Sequence, residues 1–241
     1  RSTRRYREGA LCGVVEARPS RSSPSRDTYH FLRGAVVVIL EGLVCTRSIR
    51  GEPHVAPMGP VIEDEFKRLV LRPFATSTTC RNLIRERAGV FHVTDDVQLL
   101  ARAAVGRFER APAVRPATVV EGYMLEDCCR WYEFEVREVD DRTERVTMDC
   151  AVVAHGTVRD FWGLNRGKHA VVEAAILATR LHLLRADTVA DELSRLQVLV
   201  DKTGGPAEKS AFAWLKNYIA ESYSGVNGAG GSATDAGGSE P

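Results

Sequence analysis

The segment Leu71-Arg72-Pro73-Phe74-Ala75-Thr76-Ser77-Thr78-Thr79-Cys80-Arg81-Asn82-Leu83 carries the densest chemical information in the chain. The apolar run Phe66–Phe74 that leads into it reads as a strand. Thr79–Arg87 reads as a short helix with Gly89 as its stop. Four consecutive hydroxyl side chains, Thr76, Ser77, Thr78 and Thr79, stand at the mouth of that helix, where the first N–H groups have no backbone acceptor. Such a mouth suits a phosphate dianion, and Arg72 and Arg81 can close it with charge-assisted hydrogen bonds. The alternative is one hydroxyl acting as an N-cap with the others in water, and for an isolated Ser/Thr run capping is the commoner use.

Toward the N-terminus, Ala35–Thr46 is rich in Val, Ile and Leu. The turn residues Arg50-Gly51-Glu52-Pro53 follow, then a second extended run, His54–Ile62, so the pair reads as a β-hairpin. Within the second run, Val55, Ala56, Pro57, Met58 and Gly59, followed by Pro60, interrupt the strand pattern. Two prolines and a glycine leave N–H and C=O groups free to meet something other than a neighbouring strand. One candidate is the edge of a planar heterocycle; the other reading is a bulge or barrel corner.

Toward the C-terminus, Val90–Thr94 is a strand candidate, and Asp95-Asp96 caps a helix running to about Val105. The runs Val119–Met124, Arg130–Val139 and Arg145–Ala154 read as an antiparallel meander, with Asp140-Asp141-Arg142 as a turn. The apolar period then changes to that of helices at Ala170–Leu184, Thr188–Asp201 and Pro206–Tyr223, the last two separated by Gly204-Gly205. The predicted class is α+β, mainly antiparallel β, with a C-terminal helical cap. Its divisions are an Arg/Ser-rich disordered leader over 1–33, a β domain over 34–165, a helical region over 166–223 packed on it, and a flexible Gly/Ser-rich tail over 224–241.

Composition limits the function. The net charge is +1, from 33 basic and 32 acidic residues, which argues against broad phosphate neutralisation and so against a nucleic-acid partner. The leader alone carries eight arginines against three acids, whereas 34–223 holds 25 basic and 27 acidic residues. That leader reads as an unstructured extension; a transit peptide or a nucleic-acid arm are the other readings, and a secretory signal is excluded because no apolar core follows the basic stretch. No apolar run approaches the roughly 20 residues that span a bilayer. The six cysteines form no CxxC pair, which suggests reduced thiols in the cytoplasm and no metal site. A nucleophile elbow is missing too, so no catalytic residue is assigned. His92 and His155 read as structural. One further anion-friendly segment is Phe161-Trp162-Gly163-Leu164-Asn165-Arg166-Gly167-Lys168-His169, where Arg166 and Lys168 precede the first long C-terminal helix. Its glycine spacing, and His169 where Ser or Thr is required, exclude a P-loop.

In order along the chain, Leu40-Glu41-Gly42, Ala56-Pro57-Met58-Gly59, Arg72-Pro73-Phe74, Thr79-Cys80-Arg81-Asn82-Leu83 and Val93-Thr94-Asp95-Asp96 resemble the DUF447 family, which groups with the FMN-binding split β-barrel flavoproteins. Gly163-Leu164-Asn165-Arg166 followed by Ala170-Val171-Val172-Glu173-Ala174 is similar to the family's pattern before its long helix. The resemblance implies an FMN-binding split β-barrel. The FMN phosphate would be held by Arg72, Thr76, Ser77, Thr78, Thr79 and Asn82, and the isoalloxazine ring would lie along Val55–Gly59. It also implies a homodimer with FMN near the subunit interface, to which 161–169 contributes, with Arg166 and Lys168 as secondary ligand contacts. Two positions depart from the family pattern: His54 stands where Asn is frequent, and Cys80 where an aromatic residue is common. The function so implied is an oxidoreductase passing hydride or electrons to a small-molecule redox substrate. The alternative is a flavin- or phosphate-ligand-binding module without turnover.

Overall fold

The structure, a computed structural model, describes residues 38–228. The leader expected over 1–33 lies outside them, as do residues 229–241 of the expected tail. Strands β1 (Val38–Ile39) and β2 (Gly42–Arg47) come from the first apolar run. The turn after β2 closes with the Ser48 N–H donating to the Glu52 carbonyl at 2.8 Å. Gly51 takes φ 81° there, a value that glycine adopts without steric cost. The chain returns as β3 (Pro53–Met58) and passes through Gly59-Pro60 into β4 (Val61–Glu63) and β5 (Arg68–Leu71). Helix α1 (Thr78–Glu86), β6 (Ala88–Val93), α2 (Val97–Val105), the small pair β7 (Val114–Pro116) and β8 (Tyr123–Leu125), and the long strands β9 (Arg130–Asp140) and β10 (Thr147–Thr157) follow. Three helices, α3 (Arg166–Ala178), α4 (Ala186–Thr203) and α5 (Pro206–Gly228), complete the described chain.

Eight strands form one antiparallel sheet in the order β1-β4-β5-β10-β9-β6-β2-β3. β3 stands at one end of this order and β4 next to the other, yet only Gly59-Pro60 separates them in sequence. The sheet must therefore roll until its ends meet. The Leu40 N–H accordingly reaches the Pro60 carbonyl at 3.2 Å, and a Cβ on Gly59 would stand 2.8 Å from Ile39. Register shifts at Asp149/Cys150 and Val152/Ala154 of β10 add local twist. The result is a split β-barrel with a helical cap, the expected fold class.

Strand β2 is the wall between two cores, because successive side chains of a strand point to opposite faces. Val44 faces the barrel interior with Leu69, Phe91, Phe134 and Met148, and with Cys80 and Leu83 of α1. Leu43 and Cys45 face the other way, into a core shared with Leu100, Ala174, Phe212 and Leu215 of the helices. Each fully buried Leu or Phe is worth roughly 1.5–3 kcal/mol relative to exposure. The helices close up where Gly167 meets Gly204; a Cβ on Gly167 would lie 2.8 Å from the Gly204 Cα.

Several expectations are corrected. The third strand begins at Arg68, not Phe66, because Asp64, Glu65 and Phe66 take left-handed φ values of 48°, 54° and 70°. That conformation costs about 1–2 kcal/mol per residue; opposing it, the Phe66 ring stacks on Tyr132 with centroids 4.4 Å apart. Helix α1 is closed by Arg87 at φ 56°, not by Gly89. Gly89 lies in β6, where a Cβ would stand 2.8 Å from the Phe134 ring. Val119–Met124 is not a strand; the backbone around 118–120 is spent on a carboxylate, and pairing starts at Tyr123. Helix α3 starts at Arg166, capped by Asn165, and ends at Ala178. Residues 224–228, expected in the tail, are the last turn of α5.

His92, on β6, is the satisfied core histidine expected from its strand position. Its Nδ1 lies 3.3 Å from the Leu43 carbonyl, and its Nε2 accepts the Leu125 N–H at 3.0 Å. Burial pushes its pKa down to about 4. Between about 6.5 and 4 the unfolded chain binds a proton that the folded one refuses, so stability is complete above this window and falls as pH drops through it. Urea titrations at pH 7 and pH 4 should show a loss of about 3 kcal/mol from this residue. His92→Gln should flatten that part of the slope, and equal slopes in the two proteins would refute the assignment.

Candidate functional site

The hydroxyl-rich helix mouth and the interrupted strand come together. Among the described residues β3 is an edge strand paired only with β2, so its outer backbone groups face no other described strand. On its inner side Thr46 of β2 lies opposite His54. His54 Nε2 is 3.3 Å from Thr79 Oγ1, which joins β3 directly to the first turn of α1. Asn82, one turn further along α1, donates from Nδ2 to Thr46 Oγ1 at 3.0 Å. The Thr46 hydroxyl in turn lies 3.5 Å from the His54 carbonyl. Arg85 donates to Asn82 Oδ1 at 3.1 Å and to the Arg47 carbonyl at 2.7 Å. These bonds fix α1 against the β2–β3 hairpin.

The hydroxyls divide their work. Ser77 is the N-cap and accepts the Cys80 N–H at 3.1 Å. Thr79 is buried and belongs to His54. Thr76 and Thr78 are exposed, and Arg81 lies across them, donating to the Thr76 carbonyl at 2.5 Å and to Thr78 Oγ1 at 3.1 Å. The N–H groups of Thr78 and Thr79 have no acceptor among the described residues, as expected of a helix start. Arg72 is exposed, and its guanidinium forms no ion pair with a described residue. Beside it, Arg145 lies over the Phe74 ring at 3.7 Å. The set presents two free N–H groups, exposed hydroxyls and guanidinium groups without carboxylate partners.

His54 is half-buried, and its pKa is lowered, first by burial and then by the positive charge of Arg81. It is therefore neutral at neutral pH. Burial raises the Cys80 thiol as well, so it offers no thiolate there. Asn82, expected as a ligand, is buried with both ends of its amide in use. The side chain of Val55 is packed in the helical core, and Met58 packs against the barrel core. What Val55, Ala56, Pro57, Met58 and Gly59 offer outward is backbone.

Arg166 is exposed at the start of α3, and Lys168 is committed internally. Its Nζ donates to the Asp95 carbonyl at 2.6 Å and pairs with Glu208 at 3.0 Å. The loop before them is pinned by Asp95, which pairs with Arg159 at 2.6 Å, yet it displays Trp162 and Leu164 at 88% and 86% exposure. Thr46 and Arg85 hold the site together, yet no local sequence pattern marks them. A cleft of about 300 Å³ between α2 and α5 shares no residue with this site. Its cations Arg102 and Arg107 are already paired with Glu109 and Glu221.

The fold and this shelf define a split-barrel protein with a hydroxyl-rich helix mouth beside a free strand edge. Residues 40–159 match the family model described as the N-terminal domain of a protein of unknown function, DUF447, and residues 165–217 match its C-terminal counterpart. The chain belongs to the DUF447 family. No functionally curated protein matches the sequence. Among solved structures, an FMN-bound DUF447 protein from Methanosarcina mazei is similar at 24% identity and TM-score 0.66, covering 80% of this chain and 100% of that one. More distant are a 2-nitrobenzoate 2-nitroreductase from Pseudomonas fluorescens (16% identity, TM-score 0.44, 56% of this chain and 73% of that one) and the flavin reductase of a styrene monooxygenase from Pseudomonas putida (12%, 0.43, 50% and 82%).

Proposed function

We propose that this protein binds FMN on the β3–α1 shelf and works as an oxidoreductase on a small-molecule acceptor. The observation that carries the reading is the His54–Thr79 contact, which sets a phosphate-type helix mouth beside a strand edge with free backbone groups. The donor set fits a ribityl phosphate: two N–H groups of α1, the Thr76 and Thr78 hydroxyls, Arg72 and Arg81. The FMN-bound relative in the same family supports the choice of ligand. The outer backbone of Val55–Gly59 would meet the polar edge of a planar ring. Bound flavin supplies hydride and single-electron chemistry, and the protein's part is binding, orientation and electrostatics. The site needs no acid or base of its own for that, consistent with neutral thiols and a neutral His54 beside it.

Arg72, Thr76 and Thr78 are exposed, so one chain supplies only one side of the site. We infer a homodimer in which the apolar loop Phe161–Leu164 is covered and Arg166 stands near the partner's ligand. The described cysteines are all free and buried, which suits a reducing cytoplasm, and no described helix is long and apolar enough to cross a membrane.

Purified protein is expected to be yellow, or to become so on adding FMN. Arg72→Ala should weaken FMN binding by about ten- to a hundredfold, the equivalent of one charge-assisted contact of about 1.5–3 kcal/mol. Colourless protein that fails to take up FMN refutes the reading. Anaerobic NADPH or NADH then separates turnover from binding alone: bleaching of the flavin band and its return with an acceptor support the oxidoreductase. Bound FMN that neither nucleotide reduces supports a module without turnover.

A further inference from the structure

His54 occupies an unusual position for an imidazole. Its backbone is part of the edge strand β3, where the ring of a bound flavin would lie, and its Nε2 touches Thr79 Oγ1, 3.3 Å away in the first turn of α1, where the phosphate would lie. Among the described residues one ionisable group acts on the ring: Arg81 on α1 opposes a positive charge there. The Cys45 thiol on β2, pushed up to about 12 by burial, meets only the His54 backbone and lies in the helical core on the other face of the strand. Arg81 is itself held over Thr76 and Thr78, inside the proposed phosphate mouth.

This arrangement couples a proton to an anion. With the ring neutral and Nε2 as acceptor, the Thr79 hydroxyl hydrogen is directed at His54 and is withheld from the helix mouth. A proton taken from solvent onto Nε2 reverses the bond: Nε2–H now donates to Thr79 Oγ1, and the hydroxyl hydrogen is free for an anion at the mouth. A dianion there would also neutralise Arg81, the charge that keeps the ring unprotonated. Binding and protonation therefore favour each other, as linkage requires.

We propose that His54 is a proton-linked positioning residue, taking up a proton as the phosphate of FMN binds and turning the Thr79 hydroxyl toward it. This rests on the flavin reading above. It predicts that affinity for FMN rises on mild acidification, a dependence that an uncharged amide at this position would abolish.

The test is calorimetric titration of full-length protein with FMN at pH 7 in two buffers of different ionisation enthalpy, which reports protons taken up per FMN bound. Wild type is expected to show net uptake and to bind about fivefold more tightly at pH 6.5 than at pH 8.5. His54→Asn, which keeps a donor for Thr79, is expected to bind without the proton uptake and the pH dependence that His54 adds, leaving only what the ligand itself contributes. The phosphate's own second ionisation near pH 6 acts in both proteins and cancels in the comparison. A second measurement needs no variant: the His54 NMR titration midpoint should move upward when FMN is added. Equal proton uptake in the two proteins, or an unmoved midpoint, overturns the inference while leaving FMN binding intact. Failure of wild type to bind FMN at any pH overturns the flavin reading and this inference with it.

Discussion

Glu133→Ala is expected to lower the stability of the protein by about 3 kcal/mol, read as a fall of roughly 6–12 °C in melting temperature for a domain of this size. Glu133 sits on β9 at 0% exposure, in the middle of the sheet between Val90 and Ala154. Its carboxylate has no cationic partner among the described residues and is held instead by a cup of donors. The Thr118 N–H and hydroxyl reach Oε1 at 2.7 and 2.6 Å, and the Val119 and Val120 N–H groups reach Oε2 at 2.7 and 2.9 Å. Hydrogen bonds to a charged acceptor are worth about 1.5–3 kcal/mol each, and removing this one acceptor releases four donors together. Glu133→Gln should not rescue the loss, because its amide nitrogen would face backbone donors. Hydrogen exchange gives the local signature: the amides of 118–120 should lose protection in both variants. A glutamine variant as stable as wild type would refute this account.

Gly42→Ala should cost at least about 3 kcal/mol, at the upper end of overpacking substitutions, and should weaken FMN binding along with it. A Cβ on Gly42 would lie 2.4 Å from the His92 carbonyl oxygen and 2.6 Å from the Phe91 ring. Backbone cannot rotate aside as a side chain can, so β2 would have to part from β6 where Leu43 pairs with His92. Because β2 carries β3 and Thr46 holds Asn82, a shift of β2 moves both halves of the shelf. Gly51→Ala is the informative control: no atom lies within 4 Å of a Cβ there, and its cost is only that of φ 81°. Equal melting temperatures for the two variants would show that the close approach at Gly42 is tolerated.

Much of the architecture was legible locally. The alternation in Leu43–Thr46, the turn residues before Pro53 and the 3.6-residue period after Arg166 each depend on neighbours in sequence, and they gave the hairpin and the helical cap. The hydroxyl run was legible as a helix mouth for the same reason. What is not legible locally depends on distant partners. Lys168 looks available until Glu208, forty residues on, meets it. Asn82 looks like a ligand until Thr46 takes its amide. Val119 and Val120 have the composition of a strand, yet a glutamate on another strand claims their N–H groups. Three consecutive left-handed residues at Asp64–Phe66 violate local preference outright, so no propensity argument finds them; the stacking of Phe66 on Tyr132 is a long-range contact.

The two-sided burial of β2 bears on how the protein folds and fails. The matched family models divide the chain after residue 159, as if barrel and helices were separable modules. A strand whose odd residues complete one core and whose even residues complete the other cannot be native for one module and absent for the other. The helices therefore act as the missing second layer of the barrel wall, and cutting the chain at that boundary would strip Leu43 and Cys45 of their cover and expose a sticky sheet face. The unit expected to survive limited proteolysis is barrel and cap together.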